Sequence, residues 1–161
     1  MKNKIFIFDL DDTLYKEIDF LYSAYREIAG WIELKFSLKE IYAFMLETYN
    51  EQADVFSRLI DTYDLSLTKA DLLSVYRSHR PNIRLELDTL KVLEVLKQDF
   101  ILGMITDGRS ITQRNKFQAL GLEQFIENEN LVISEEFGSE KPSERNFMFF
   151  QDKYADAEFV Y

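Results

Sequence analysis

The chain has 161 residues, 47% of them apolar, which is about one domain's length and enough apolar matter for a buried core. With 19 basic and 29 acidic residues the net charge is −10, so nucleic-acid backbones are repelled, and an anionic substrate needs locally placed cations or a metal. No run of eighteen apolar residues argues for a membrane span, the short N-terminal apolar run is no signal-peptide core, and the lack of cysteine excludes disulfides and thiolate chemistry and fits a reducing cytoplasm.

Lys4-Ile5-Phe6-Ile7-Phe8 is a continuous apolar run of strand length, the pattern of a parallel strand covered on both faces. It stops at a polar loop, Asp9-Leu10-Asp11-Asp12-Thr13. From Asp19 the period turns helical, with Phe20, Leu21, Tyr25, Ile28, Ala29 and Ile32. Ser37-Leu38-Lys39-Glu40 has the pattern of a capping box and predicts the start of a second helix carrying Ile41, Phe44, Met45 and Thr48. Val55, Phe56, Leu59, Ile60 and Tyr63 mark a third, and Thr68-Lys69-Ala70-Asp71 opens a fourth with Leu72, Val75 and Tyr76 inward. Residues 16–80 thus read as one all-helical insertion, ended by Pro81, with no Pro/Gly/Ser-rich linker on either side.

Residues 88–98 predict a further helix and 100–105 a second buried strand, ending at Thr106-Asp107-Gly108. A helix carrying Ile111, Arg114 and Phe117 follows and closes at Gly121. Leu131-Val132-Ile133 is a third strand ending at Ser134, and Pro142 is expected in the first turn of a helix running to about Tyr154. Glu158-Phe159-Val160-Tyr161 begins a fourth strand. Strands alternating with helices predict an α/β fold with a parallel sheet, built from residues 1–15 and 81–161 around the insertion.

Ligands of such a sheet sit beyond the carboxyl ends of its strands. The first three strands deliver Asp9, Asp11 and Thr13; Thr106, Asp107 and Gly108; and Ser134 followed by Lys141 to that edge. Two carboxylates this close resist joint ionisation, and a divalent cation, magnesium by preference for hard oxygen ligands, relieves the cost. One carboxylate can then attack phosphorus while the other gives a proton to the leaving oxygen and later takes one from water. A hydroxyl, backbone N–H groups and a lysine would hold the transferring oxygens, and Thr106, Asp107 with Gly108, and Lys141 can supply them.

Phe8-Asp9-Leu10-Asp11-Asp12-Thr13-Leu14 resembles the Asp-x-Asp-x-Thr motif of the haloacid dehalogenase-like (HAD) superfamily. Ile105-Thr106-Asp107-Gly108 resembles its second motif, and Glu140-Lys141-Pro142 its third. The order and spacing fit over nearly the whole chain. The resemblance implies a three-layer Rossmann-like core with an all-helical cap at residues 16–80, as in the family's first subclass. It implies a Mg2+-dependent phosphatase that acts on a small phosphorylated metabolite through an aspartyl-phosphate intermediate. Asp9 would be nucleophile and metal ligand. Asp11 would be the acid/base, with its main-chain carbonyl on the same metal, and Thr106, Asp107 and Lys141 would bind phosphate. The superfamily's dehalogenases lack the second carboxylate, so Asp11 argues for phosphate chemistry. Asp12 stands where glycine is common and is assigned no chemistry; His79 reads as a hinge residue where the insertion rejoins the core.

The family's fourth motif, an acidic pair completing the metal site, follows the fourth strand, whereas this sequence ends at Tyr161. By that resemblance the chain is C-terminally truncated and the last core strand is missing, which leaves a sheet edge that favours self-association. Two alternative functions stand beside the phosphatase: a phosphomutase of the same superfamily, and a catalytically weak HAD-like binding module. Neither nucleic acid nor membrane is expected as a partner.

Overall fold

The computed structural model describes residues 4–161, so residues 1–3 of the expected core segment lie outside the described residues. Its sheet has four parallel strands, β1 (Lys4–Phe8), β2 (Ile101–Thr106), β3 (Leu131–Ile133) and β4 (Glu158–Val160), in the order β3-β2-β1-β4. Ile5 lies opposite Ile101 and Phe8 opposite Met104, while Met104 lies opposite Leu131. Successive strands step away from β1 on one side and return to its other side with β4, so the order reverses at β1. Its carboxyl end is therefore a switch point, where open sheets of this class leave a crevice.

Period-two alternation decides what covers each face. Phe6, Phe8, Leu102, Met104, Leu131 and Ile133 point to one side, against Leu93 of α5 (Leu87–Asp99) and Phe117 of α6 (Ser110–Ala119). Ile5, Ile7, Ile105 and Val132 point to the other, against Phe150 of α8 (Glu144–Lys153). Helices thus cover both faces, giving three layers. Gly103 of β2 lies directly under α8: a Cβ there would sit 2.6 Å from Cε1 of Phe150, so the missing side chain is what lets the ring reach the sheet.

Between β1 and α5 the chain forms α1 (Glu17–Phe36), α2 (Ile41–Asn50), α3 (Val55–Tyr63) and α4 (Lys69–Ser78). These carry a hydrophobic core of their own, with Ile28, Ile32, Ile41, Met45, Leu59 and Leu72 fully buried. Burying a side chain of this size is worth roughly 1.5–3 kcal/mol, so these six side chains contribute strongly to holding the four helices against one another. Tyr76 packs against both this core and the sheet's.

Two local expectations are corrected. Ser37 and Glu40 form no capping box: both are left-handed, with φ of 56° and 63°, whereas an N-cap hydroxyl reaches the helix from an extended backbone. Glu33 of α1 instead accepts from the Ile41 N–H at 2.9 Å. A capping box does form at the head of α4, where Thr68 and Asp71 bond each other's backbone N–H groups. Pro142 lies before α8 rather than in its first turn, and Ser143 is the cap, its hydroxyl accepting from the Arg145 N–H at 3.4 Å. Gly121, at φ 65°, ends α6 as its sequence predicts.

Candidate active site

The loop after β1 is shaped by Asp12. Asp12 is left-handed at φ 54°, a conformation that glycine adopts freely and short polar residues tolerate. Its carboxylate accepts from the Glu17 N–H at 2.9 Å and so fixes the entry to α1. The turn brings Asp9 and Asp11 to the carboxyl edge of the sheet, each against a different lysine.

Asp9 faces Lys141. The ammonium lies 2.5 Å from Asp9 Oδ1 and 3.3 Å from the Ile105 carbonyl, and the Leu10 N–H donates to the same Oδ1 at 2.8 Å. Burial works to lower the Lys141 value, but the hydrogen bond and charge of Asp9 outweigh it and hold the ammonium above the ordinary lysine range. The Lys141 backbone N–H donates to Asp107, at 3.1 and 3.3 Å from its two carboxylate oxygens. Asp107 therefore has a definite task for its side chain, anchoring the lysine loop. Thr106 ends β2 almost fully buried. Gly108, at φ 138°, donates its N–H to Ser134 Oγ at 2.9 Å, tying the loops after β2 and β3 together.

Asp11 faces α6. Its Oδ1 accepts from Lys116 Nζ at 2.7 Å and from the Tyr15 hydroxyl at 2.6 Å; its Oδ2 accepts from Gln113 Nε2 at 3.0 Å. Gln113 Nε2 also lies 2.8 Å from Thr106 Oγ1 and 2.6 Å from the Asp107 carbonyl, so its two N–H groups are shared among three acceptors. Its Oε1 is buried with no hydrogen-bond partner among the described residues. Glu17 lies 4.0 Å from the Lys116 ammonium; burial and the nearby Asp11 charge raise its carboxyl above the usual range. Burial, then the bond to Asp11, likewise pushes the Tyr15 phenol up, and burial with Glu17 and Asp11 pushes Tyr76 up to about 12.

All five residues singled out in the sequence, Asp9, Asp11, Thr106, Asp107 and Lys141, thus lie in one hydrogen-bonded network. Sequence reasoning missed Tyr15, Gln113 and Lys116. Gln113 and Lys116 share one helical stripe with Phe117 and Leu120, but a polar pair on a helix does not announce itself as the buried side, and Tyr15 lies on no such stripe. Arg109 and Arg114 turn away to Glu135 and Glu136 of α7 (Ser134–Phe137), at 2.5 Å in each case. His79 is buried where α4 ends, its Nδ1 2.8 Å from the Tyr76 carbonyl. Asn115 of α6 donates to the Ser78 and His79 carbonyls at 3.2 and 3.0 Å, and Thr112 to that of Arg77 at 3.2 Å.

Among the described residues no three His, Cys, Asp or Glu side chains gather to hold a metal. Oxygens at this edge include the Asp9 carboxylate and the main chain of the loop. No described helix is long and apolar enough to cross a membrane.

Residues 6–155 match the sequence profile of a family described as haloacid dehalogenase-like hydrolase. A glyceraldehyde 3-phosphate phosphatase of Methanocaldococcus jannaschii is 30% identical over 148 residues, covering 84% of this chain and 64% of that protein. One of Methanopyrus kandleri is 28% identical over 159 residues, covering 90% and 67%. The chain therefore spans about two thirds of the length of these relatives. The HAD-hydrolase YfnB of Bacillus subtilis, solved bound to magnesium, has the same fold, with a TM-score of 0.63 at 22% identity over 95% of this chain and 73% of that one.

Proposed function

The chain belongs to the haloacid dehalogenase-like hydrolase family, and from that membership we propose that it is a magnesium-dependent phosphatase of a small phosphorylated metabolite. The observation that carries the reading is the pair of carboxylates at the sheet's switch point, one of them 2.5 Å from a lysine on a neighbouring loop. A carboxylate in reach of a cation that can turn to a phosphoryl group is what covalent phosphoryl transfer requires.

In the first step an Asp9 oxygen attacks phosphorus, the bond from phosphorus to the ester oxygen breaks, and Asp11 gives its proton to that oxygen. In the second, Asp11 takes a proton from water. The water oxygen bonds to phosphorus, the bond to Asp9 breaks, and inorganic phosphate leaves. The Thr106 hydroxyl, the Asp107 N–H and the Lys141 ammonium hold the phosphoryl oxygens through both steps. Magnesium fits this donor set in part, since it takes one or two carboxylates and keeps water and substrate phosphate as its other ligands. The Asp9 carboxylate and the Asp11 main-chain carbonyl would hold it, and when bound it shields the anionic nucleophile from the anionic substrate.

Residues 16–80 serve as the cap, closing over the substrate and excluding water. The relatives' names make glyceraldehyde 3-phosphate the first substrate to test. The lack of cysteine fits a cytoplasmic protein. The test is phosphate release from glyceraldehyde 3-phosphate and from p-nitrophenyl phosphate with magnesium, alongside Asp9→Asn. Turnover by the wild type, and loss of at least about 1,000-fold in the variant, is expected for removal of a nucleophile. Equal rates in the two proteins would sink the assignment of Asp9.

A further inference from the structure

Lys116 is a lysine in a place where an apolar side chain would be cheaper. It sits on α6 beside Phe117 and Leu120, inside the core between helix and sheet, and its side chain is only 4% exposed. Its ammonium lies 4.5 Å from the centre of the Phe20 ring, and the Tyr15 ring is 6.0 Å away. An ammonium is stripped of water here only if something nearby needs its charge. The nearest group is Asp11 Oδ1 at 2.7 Å, with Glu17 beyond it at 4.0 Å.

The other groups around Asp11 obey the same geometry. Tyr15 donates to the oxygen that Lys116 holds, and Gln113 donates to the opposite oxygen. A carboxylate gripped at both oxygens, from two directions, has its plane fixed. Lys116 and Gln113 are one helical turn apart, so a single rigid element carries both.

We propose that Lys116, with Gln113 and Tyr15, is a positioning residue that orients the Asp11 carboxylate for proton transfer to the leaving oxygen. The proposal rests on the phosphatase reading given above. It goes beyond the sequence motifs, none of which includes α6. Lys116 faces Asp11 and acts through it.

The leaving group separates this role from a merely structural one. The alkoxide from glyceraldehyde 3-phosphate needs a proton as it departs, whereas p-nitrophenolate does not. In Lys116→Met, kcat/KM for glyceraldehyde 3-phosphate is expected to fall about 100-fold, the lower end of what general acid catalysis contributes. For p-nitrophenyl phosphate the fall is expected to stay within about 5-fold, because the proton is not required there. In an Asp11→Asn background, Lys116→Met should change neither substrate by more than about 2-fold, since a positioning residue has nothing left to position. Equal losses on the two esters, or an undiminished loss in the Asp11→Asn background, overturn the proposal while the phosphatase reading stands. A wild type that releases phosphate from neither ester overturns the phosphatase reading and this proposal with it. Should Lys116→Met fail to fold, as judged by circular dichroism, Tyr15→Phe decides, because it removes one hydroxyl and keeps the ring. A larger loss on the alkyl ester supports the proposal, and equal losses or none overturn it.

Discussion

Gly103→Ala adds one methyl group at the centre of the sheet. The new Cβ would lie 2.6 Å from Cε1 and 2.9 Å from Cζ of Phe150, about 1 Å inside ordinary carbon contact. The ring has little room to retreat. Phe150 is fully buried, packed on Ile5, Ile7, Ile105 and Val132, with the Phe149 ring centre 5.1 Å away. Overpacking of this kind costs about 1–3 kcal/mol. The stiffer unfolded chain of an alanine variant offsets about 0.4–1 kcal/mol of that. The expected net loss is about 1–2 kcal/mol, or a Tm lower by roughly 4 °C for a chain of this size. Urea unfolding at fixed m-value measures it directly. The cause is checked by Phe150→Leu, which shortens the ring but opens space on its own. If the clash is real, the double variant is more stable than the sum of the single losses by about 1 kcal/mol or more. Wild-type stability of Gly103→Ala, or strict additivity in the pair, would refute the reasoning.

Two further outcomes concern the joint between the helices and the sheet. Ser23 is buried in α1, and its hydroxyl accepts from the Asn82 N–H at 2.7 Å, holding the segment that leads back to the sheet; Ser23→Ala should cost about 1 kcal/mol in urea unfolding, the ordinary worth of one such bond. Burial beside Phe20 lowers His79 below its ordinary value of 6.5, so as pH falls through 6.5 the unfolded chain takes up a proton that the folded chain refuses. This part of the stability is present above pH 6.5 and is lost as pH falls toward the depressed folded value, so urea midpoints at pH 7.5, 6.5 and 5.5 should decline less in His79→Phe than in the wild type. Parallel curves for the two proteins would remove His79 as the cause.

Much of the fold was written in periodicity. The apolar runs at β1 and β2 and the helical spacing from Phe20 to Tyr76 are long patterns, and long patterns survive local exceptions. The boundary at Ser37–Glu40 was misread because a capping box is defined by residue type, whereas the cap forms only if the backbone is extended there. The site divides in the same way. Asp9, Asp11, Thr106 and Lys141 stand at strand ends and in loops, where topology alone sends them to one edge. Lys116 was illegible for another reason. A lysine on a helix ordinarily faces water, and Ile111, taken as part of the apolar stripe, is in fact half exposed. Only the docking of α6 against the β1 loop fixes which stripe turns inward.

The hydrogen bonds from Thr112 and Asn115 to the last carbonyls of α4 bear on how the molecule comes apart. The four inserted helices have their own core, and on that ground they would be expected to open as one cooperative unit. The end of α4, however, is capped by side chains of a helix that belongs to the sheet. The frontier between the two folding units therefore runs through α4, not at its end. Hydrogen exchange in its final turn is therefore expected to follow the sheet, and exchange in the rest of the inserted helices to run ahead of it.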